Sequence, residues 1–135
     1  MAIQLSAAVR NARLDAIETA VGTSAVLRIR SGAVPATVAT ADAGTVLATL
    51  NLPSDWMAAA SGGSKALSGS WTDASADNTG TAAHFRLYAS DGTTAHLQGT
   101  VTVTGGGGDM TVDSVSFTSG QAFTVTSFTL TDGNA

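Results

Sequence analysis

The sequence predicts a mainly β domain, an antiparallel β-sandwich of jelly-roll type with about seven or eight short strands, preceded by one N-terminal α-helix. Three observations carry this reading. Residues 81–104, TAAHFRLYASDGTTAHLQGTVTVT, alternate apolar and polar side chains on both sides of an Asp-Gly turn signal. From Ala25 onward β-branched segments recur between Gly, Pro, Ser and Asp clusters. Helical spacing occurs only once, in residues 6–21. The division is a helix over 1–22 and a sandwich over 23–135 within one domain, a closed barrel being the alternative architecture.

The elements follow in order. Leu5, Val9, Ala12, Ala16 and Ala20 line one side of the helix, and Leu14, Ile17 and Val21 widen that stripe. Ser6 is the expected N-cap and Gly22 the C-terminal stop, with Asn11, Asp15 and Glu18 facing away from the packed surface. In the first strand Leu27 and Ile29 occupy one face, and Arg28 and Arg30 the other. Ser31-Gly32 then opens a long connection whose Pro35 and lack of period mark an extended loop. The second strand, 45–52, turns Val46, Ala48, Leu50 and Leu52 inward, and Pro53 ends it. Residues 54–66 fit a short helical turn or an irregular edge, and Leu67, Gly69 and Trp71 a third strand with Trp71 in the core.

The 81–104 hairpin is the centre of the domain. A two-residue Asp91-Gly92 turn would set the apolar faces of its arms against each other. A three-residue Ser90-Asp91-Gly92 loop, with Gly92 left-handed, brings Leu87 opposite Ala95 and Phe85 opposite Leu97. The outer face is then an exposed belt of His84, Arg86, Tyr88, His96 and Gln98. Gly105 to Gly108 read as a flexible connection to the last two strands. Each of those skips a phase: Met110 and Val112 give way to Val115 and Phe117, and Phe123 and Val125 to Phe128 and Leu130. Bulges or bends are expected at Asp113-Ser114 and Thr126-Ser127, where a sandwich edge curls between sheets.

Composition narrows the function. The 135 residues include no cysteine, which removes disulfides, thiolate metal sites and cysteine nucleophiles. A net charge of −4 and six scattered Lys and Arg argue against nucleic acid as a partner. No apolar run approaches a membrane span, and the opening MAIQLSAAVR lacks the pattern of a signal peptide, so a soluble, unsecreted chain is expected. A charged fraction of only 12% leaves a Ser, Thr, Ala and Gly surface suited to burial against a partner or another copy.

No residue set reads as catalytic. There is no G-x-S-x-G elbow, and His84 and His96 are the only histidines. A His84, His96 and Asp73 or Asp77 metal site, and a calcium site at Asp73, Asp77 and Asn78, are both outweighed by plain polar surface. The glycine run has no Lys-Ser/Thr after it and opens no helix, so it is no phosphate cradle. Asp109, Asp113 and Glu18 form no carboxylate pair for glycoside hydrolysis. Tyr88 with Arg86 and His84, or Trp56, are candidates for stacking on a sugar. No cofactor is expected.

Several segments together resemble a family of small tailed-bacteriophage virion proteins encoded among the head genes. These are LDAI at 14–17, the strand leading to SGAVP at 31–35, GTVLATL at 44–50, FRLYASDGTT at 85–94 and TSGQAFTVTSFTLT at 118–131. The resemblance covers nearly the whole chain and rests on structural motifs. It implies a head decoration, or cement, protein: a sandwich domain bound in many copies to the capsid exterior and made in the host bacterial cytoplasm. The implied partners are the major capsid protein and further copies of itself, as dimers or trimers at symmetry positions. The expected contact residues are Leu5, Val9 and Arg13 on the helix, Val34, Pro35 and Val38 in the long loop, and His84, Arg86 and Tyr88 on the belt. A tail, fibre or head-completion component is the alternative, and a carbohydrate-binding attachment module the second.

Overall fold

The structure is a computed structural model that describes residues 3–133. Met1, Ala2, Asn134 and Ala135, the outermost residues of the two predicted regions, lie outside the described residues. Among the described residues one helix, α1 (Ala7–Val21), precedes ten strands. These are β1 (Val26–Arg30), β2 (Val46–Asn51), β3 (Ser64–Ala66), β4 (Thr72–Asp73) and β5 (Gly80–Thr81), then β6 (His84–Tyr88), β7 (Ala95–Val103), β8 (Met110–Val112), β9 (Ser116–Phe117) and β10 (Phe123–Thr131). The predicted class is correct: the fold is mainly β and sandwich-like, with one helix. Its large sheet runs β2-β1-β6-β7-β8-β10-β3, β4 also pairs with β10, and β5 and β9 form a separate two-stranded sheet.

The sandwich arises by curling. In a flat sheet β6 and β10, three places apart, would lie about 14 Å from each other. Yet the rings of Phe85 on β6 and Phe128 on β10 meet edge to face at 5.5 Å. Phe128 continues to Trp71 at 5.6 Å and Trp71 to Trp56 at 6.1 Å, so one aromatic row fills the interior. Leu27, Ile29, Leu47, Leu50, Leu87, Met110 and Val112 complete the core around it.

Both predicted phase skips mark real departures from the ladder. Between Val125 and Ser127 the β8–β10 register shifts, making Thr126 the extra residue. At Asp113–Val115 the chain leaves β8 altogether, and β9 pairs with β5 in the other sheet.

Two features of the predicted strand layout needed correction. The strand expected through Leu67, Gly69 and Trp71 is instead two short strands, β3 and β4, flanking that stretch. Of the two forms expected for the stretch before it, residues 54–61 take the irregular edge, held by isolated bridges between Met57 and Leu67 and between Ser61 and Ser64. The sheet is not wholly antiparallel either, because β7 and β8 run parallel, Val101 beside Met110 and Val103 beside Val112.

Parallel neighbours usually need a crossover of about a dozen residues or more. Here Thr104 to Asp109 suffice, because the chain doubles back against β7 itself. A methyl group on Gly106 or Gly108 would sit 2.7 or 2.9 Å from Thr102 side-chain atoms. Asp109 secures the return by accepting from the Thr100 amide and hydroxyl at 2.8 and 2.9 Å. The glycine run is therefore a tight return packed against β7.

The hairpin keeps the predicted parity but shifts register by two residues. Leu87 faces Leu97, Phe85 faces Gly99, and Tyr88 faces Ala95 with His96 as the extra residue. The loop is longer than three residues because Asp91 accepts from the Thr93 and Thr94 amides and the Thr94 hydroxyl. Those bonds, led by the Thr94 hydroxyl, hold the Asp91 carboxyl well below the usual range. Gly92 is left-handed, as predicted.

Gly44 closes the long loop between β1 and β2. Its φ is +73°, and a methyl group there would overlap the carbonyl oxygen of Ser31. Gly44→Ala is expected to lower the unfolding free energy by about 2–3 kcal/mol, read from urea denaturation curves.

Candidate functional site

The polar face of β1 and β6 carries Arg28, Arg30, His84, Arg86 and Tyr88, paired as Arg30 with His84 and Arg28 with Arg86. Alternation alone leaves this row in solvent. The structure instead buries His84, Arg86 and Tyr88 at 0, 2 and 1% exposure, because residues 31–44 lie across them as a strap. The exposed belt, and direct docking through these three side chains, is thereby corrected. Pro35 is buried too, Val34 and Val38 are half-buried, and the outside of the strap is mostly Ala and Thr.

Guanidinium groups need acceptors, and a strap without regular structure has free carbonyls to offer. Arg86 donates to the Thr37 and Thr40 carbonyls at 3.0 and 2.7 Å, to Gln98 Oε1, and to Asp42 Oδ1 at 2.6 Å. Arg30 donates to Asp42 Oδ2 at 2.8 Å, the Tyr88 hydroxyl donates to Asp42 Oδ1 at 2.8 Å, and Gln98 donates to the Pro35 carbonyl. Arg28, directly opposite Arg86, turns aside to the Gly92 carbonyl and lies 4.8 Å over the Tyr88 ring. Among the described residues Asp42 is the single carboxylate on this cluster. Burial raises its pKa, but the Tyr88 and Arg86 hydrogen bonds and both guanidinium charges outweigh that and hold it below the usual range.

His84 is the quiet member. Its Nδ1 donates to the Gly32 carbonyl at 2.8 Å, which leaves Nε2 as the unprotonated nitrogen, buried without a partner. Burial, with Arg30 and Arg86 adding to it, pushes its pKa below the ordinary value.

A second polar cluster joins the helix to the irregular edge. The prediction that Asn11, Asp15 and Glu18 face away is reversed. Asn11 accepts from the Gly63 amide, Asp15 from the Ala60 amide and Glu18 from the Met57 amide. These are the N–H groups that an edge without a ladder leaves unpaired. Between them sits Lys65, the only lysine, 2% exposed, with Nζ 2.7 Å from Asp15, 2.8 Å from Glu18 and 2.9 Å from the Ala58 carbonyl. Burial alone would push the Lys65 pKa down, but the Asp15 and Glu18 hydrogen bonds outweigh it and raise it. All three of its protons are engaged, so this amine is a structural cation and not a nucleophile. The 640 Å³ groove beside it is lined by Asp15, Glu18, Asp55, Met57 and Ala59 among others.

With Leu14, Val21 and the polar ladder turned inward, the predicted stripe of Val9, Ala12, Ala16 and Ala20 faces outward. Val9 is 46% exposed, Arg13 lies beside it in an ion pair with Asp132 at 3.2 Å, and Leu5 is half-buried. The two candidate aromatics for sugar stacking are both internal, Trp56 donating to the Gly22 carbonyl. His96 lies at the hairpin bulge, well along the strand from Thr100, which faces His84. No group of three His, Asp or Glu among the described residues is arranged to hold a metal ion. No helix among them is long and apolar enough to cross a membrane.

The spacing of 11, 15 and 18 with 14 and 21 was the available signal for the inward face, and the lone lysine the signal for its counter-ion. No family model matches the chain, and no curated protein or solved structure is significantly similar to it.

Proposed function

We propose that this chain is a bacteriophage virion structural protein, a capsid decoration or cement protein that binds the head exterior in many copies and stabilises it. Its partners are the major capsid protein and further copies of itself, as dimers or trimers, and it is made in the host bacterial cytoplasm. The observation that carries this reading is the outward helix face. The domain packs against the polar side of α1 and leaves Val9, Ala12, Ala16 and Ala20 uncovered. Three of the six basic side chains, Arg30, Lys65 and Arg86, are also buried, so the surface is even less charged than the composition suggests. Such a face suits close approach to a partner, and many weak contacts across a closed shell add as avidity.

Removing residues 1–22 would also strip Leu14 and Val21 from the interior, so a point substitution is the cleaner test. Ala16→Glu keeps helix propensity on an exposed position and is expected to change stability by no more than about 0.5 kcal/mol. Mixed with preformed heads and sedimented, this variant is expected to remain in the supernatant while the wild type co-sediments. Equal decoration by both would remove the helix from the interface.

A further inference from the structure

We propose that residues 31–44 are an acid-released strap, latched over the sheet by Asp42 and unlatched when His84 takes a proton. The geometry makes the latch marginal in charge. Beneath the strap lie Arg30 from β1, Arg86 from β6 and the imidazole of His84, with Arg28 turned aside to the Gly92 carbonyl and Asp42, among the described residues, the single carboxylate reaching the cluster. β7 brings uncharged Gln98 and Thr100 to this face, with His96 farther along the strand at the hairpin bulge, and Asp109 stands beyond Thr100 and accepts from its hydroxyl. The Tyr88 hydroxyl is spent on Asp42.

Among the described residues His84 Nε2 is fully buried and finds no partner, and the same holds for Nε of Arg30, the residue paired with His84 on β1. A proton on Nε2 would thus be a buried donor without an acceptor, next to guanidinium groups. The strap supplies the way out. It is held mainly by hydrogen bonds to Arg86, Arg30, Gln98, Tyr88 and His84, with Pro35 buried and Val34 and Val38 half-buried, so lifting it admits water to the imidazole while uncovering few apolar side chains.

The sign follows from linkage. A histidine whose pKa is depressed by folding favours the closed strap fully above its ordinary value of about 6.5. That contribution is lost as the pH falls below this value and through the depressed one. One proton taken up on opening raises the open fraction about tenfold per pH unit across that window. Asp42 adds its own loss only below its ordinary carboxylate range, since its pKa is lowered.

The test is elastase cleavage within residues 33–44, which are rich in Ala and Val. Rates are taken from pH 7.5 downward and normalised at each pH to a free peptide of the same residues. The wild type is expected to show a rise of about tenfold per pH unit below 6.5. His84→Asn, which keeps a donor for the Gly32 carbonyl but does not titrate, is expected to be flat until the carboxylates protonate. A flat wild-type profile, or the same slope in the variant, overturns the proposal. If the variant fails to fold, NMR titration of the wild-type His84 ring against the strap amides decides it. Coincident transitions support the latch, and separated midpoints overturn it.

Discussion

Arg86→Ala is expected to lower the free energy of unfolding by about 3–5 kcal/mol, measured by urea denaturation. The guanidinium is 2% exposed and joins the sheet to Asp42, Gln98 and the carbonyls of Thr37 and Thr40. Removing it orphans part-buried acceptors on the strap and on β7 at once, and it is the number of bonds lost together that makes the loss large. Arg86→Lys is expected to recover little. A point cation with three donors cannot bridge Asp42, Gln98 and two carbonyls in one plane. Hydrogen exchange should show the loss first in the strap, at the Thr40 amide that bonds to the Thr37 carbonyl.

Lys65→Met is expected to cost somewhat less by the same denaturation measurement, about 2–4 kcal/mol, since the half-exposed Asp15 is partly rehydrated. The methionine keeps the stem volume, so the loss isolates the charge. Asp15 and Glu18 are left facing each other across the vacated ammonium position, against the inner side of the helix. Adding Asp15→Asn and Glu18→Gln to Lys65→Met is expected to restore much of the loss, since neutral amides still accept from the Ala60 and Met57 N–H groups. If the single variant were as stable as wild type, the Lys65 charge would contribute nothing, and Leu14, Val21 and Trp56 with the edge amides bonded to Asn11, Asp15 and Glu18 would suffice to hold the helix.

Both predictions concern residues that the sequence misrepresents in the same way. Alternation and helical spacing report which side chains share a face, and that part was legible: Leu27 with Ile29, Phe85 with Leu87, and the bulge at Thr126 all stand. Neither pattern tells whether a polar row meets water or the unpaired backbone of another segment. The row of His84, Arg86 and Tyr88 met strap carbonyls, and the row of Asn11, Asp15 and Glu18 met edge amides. In each case a stretch without a ladder of its own needed partners for its N–H or C=O groups, and a charged or amide side chain supplied them.

Strand pairing was less legible for a local reason. Asp91 gathers three donors and lengthens the hairpin loop, which moves the partner of Leu87 from Ala95 to Leu97. The parallel β7–β8 pair was hidden because a six-residue return is too short for the usual crossover. Only the close approach of Gly106 and Gly108 to Thr102 makes it possible. Of the predicted contact residues, Val9 and Arg13 remain at the surface and Leu5, Val34 and Val38 are half-buried. Pro35, His84, Arg86 and Tyr88 belong to the interior that supports them.

The proposal of a shell protein is tested most directly by stoichiometry in purified phage particles, with quantitative mass spectrometry of this chain against the major capsid protein. A decoration protein occupying equivalent positions over the head is expected at about one copy per one to a few capsid subunits. A handful of copies per particle would place the chain in the connector or tail, and its absence from particles would contradict the account outright.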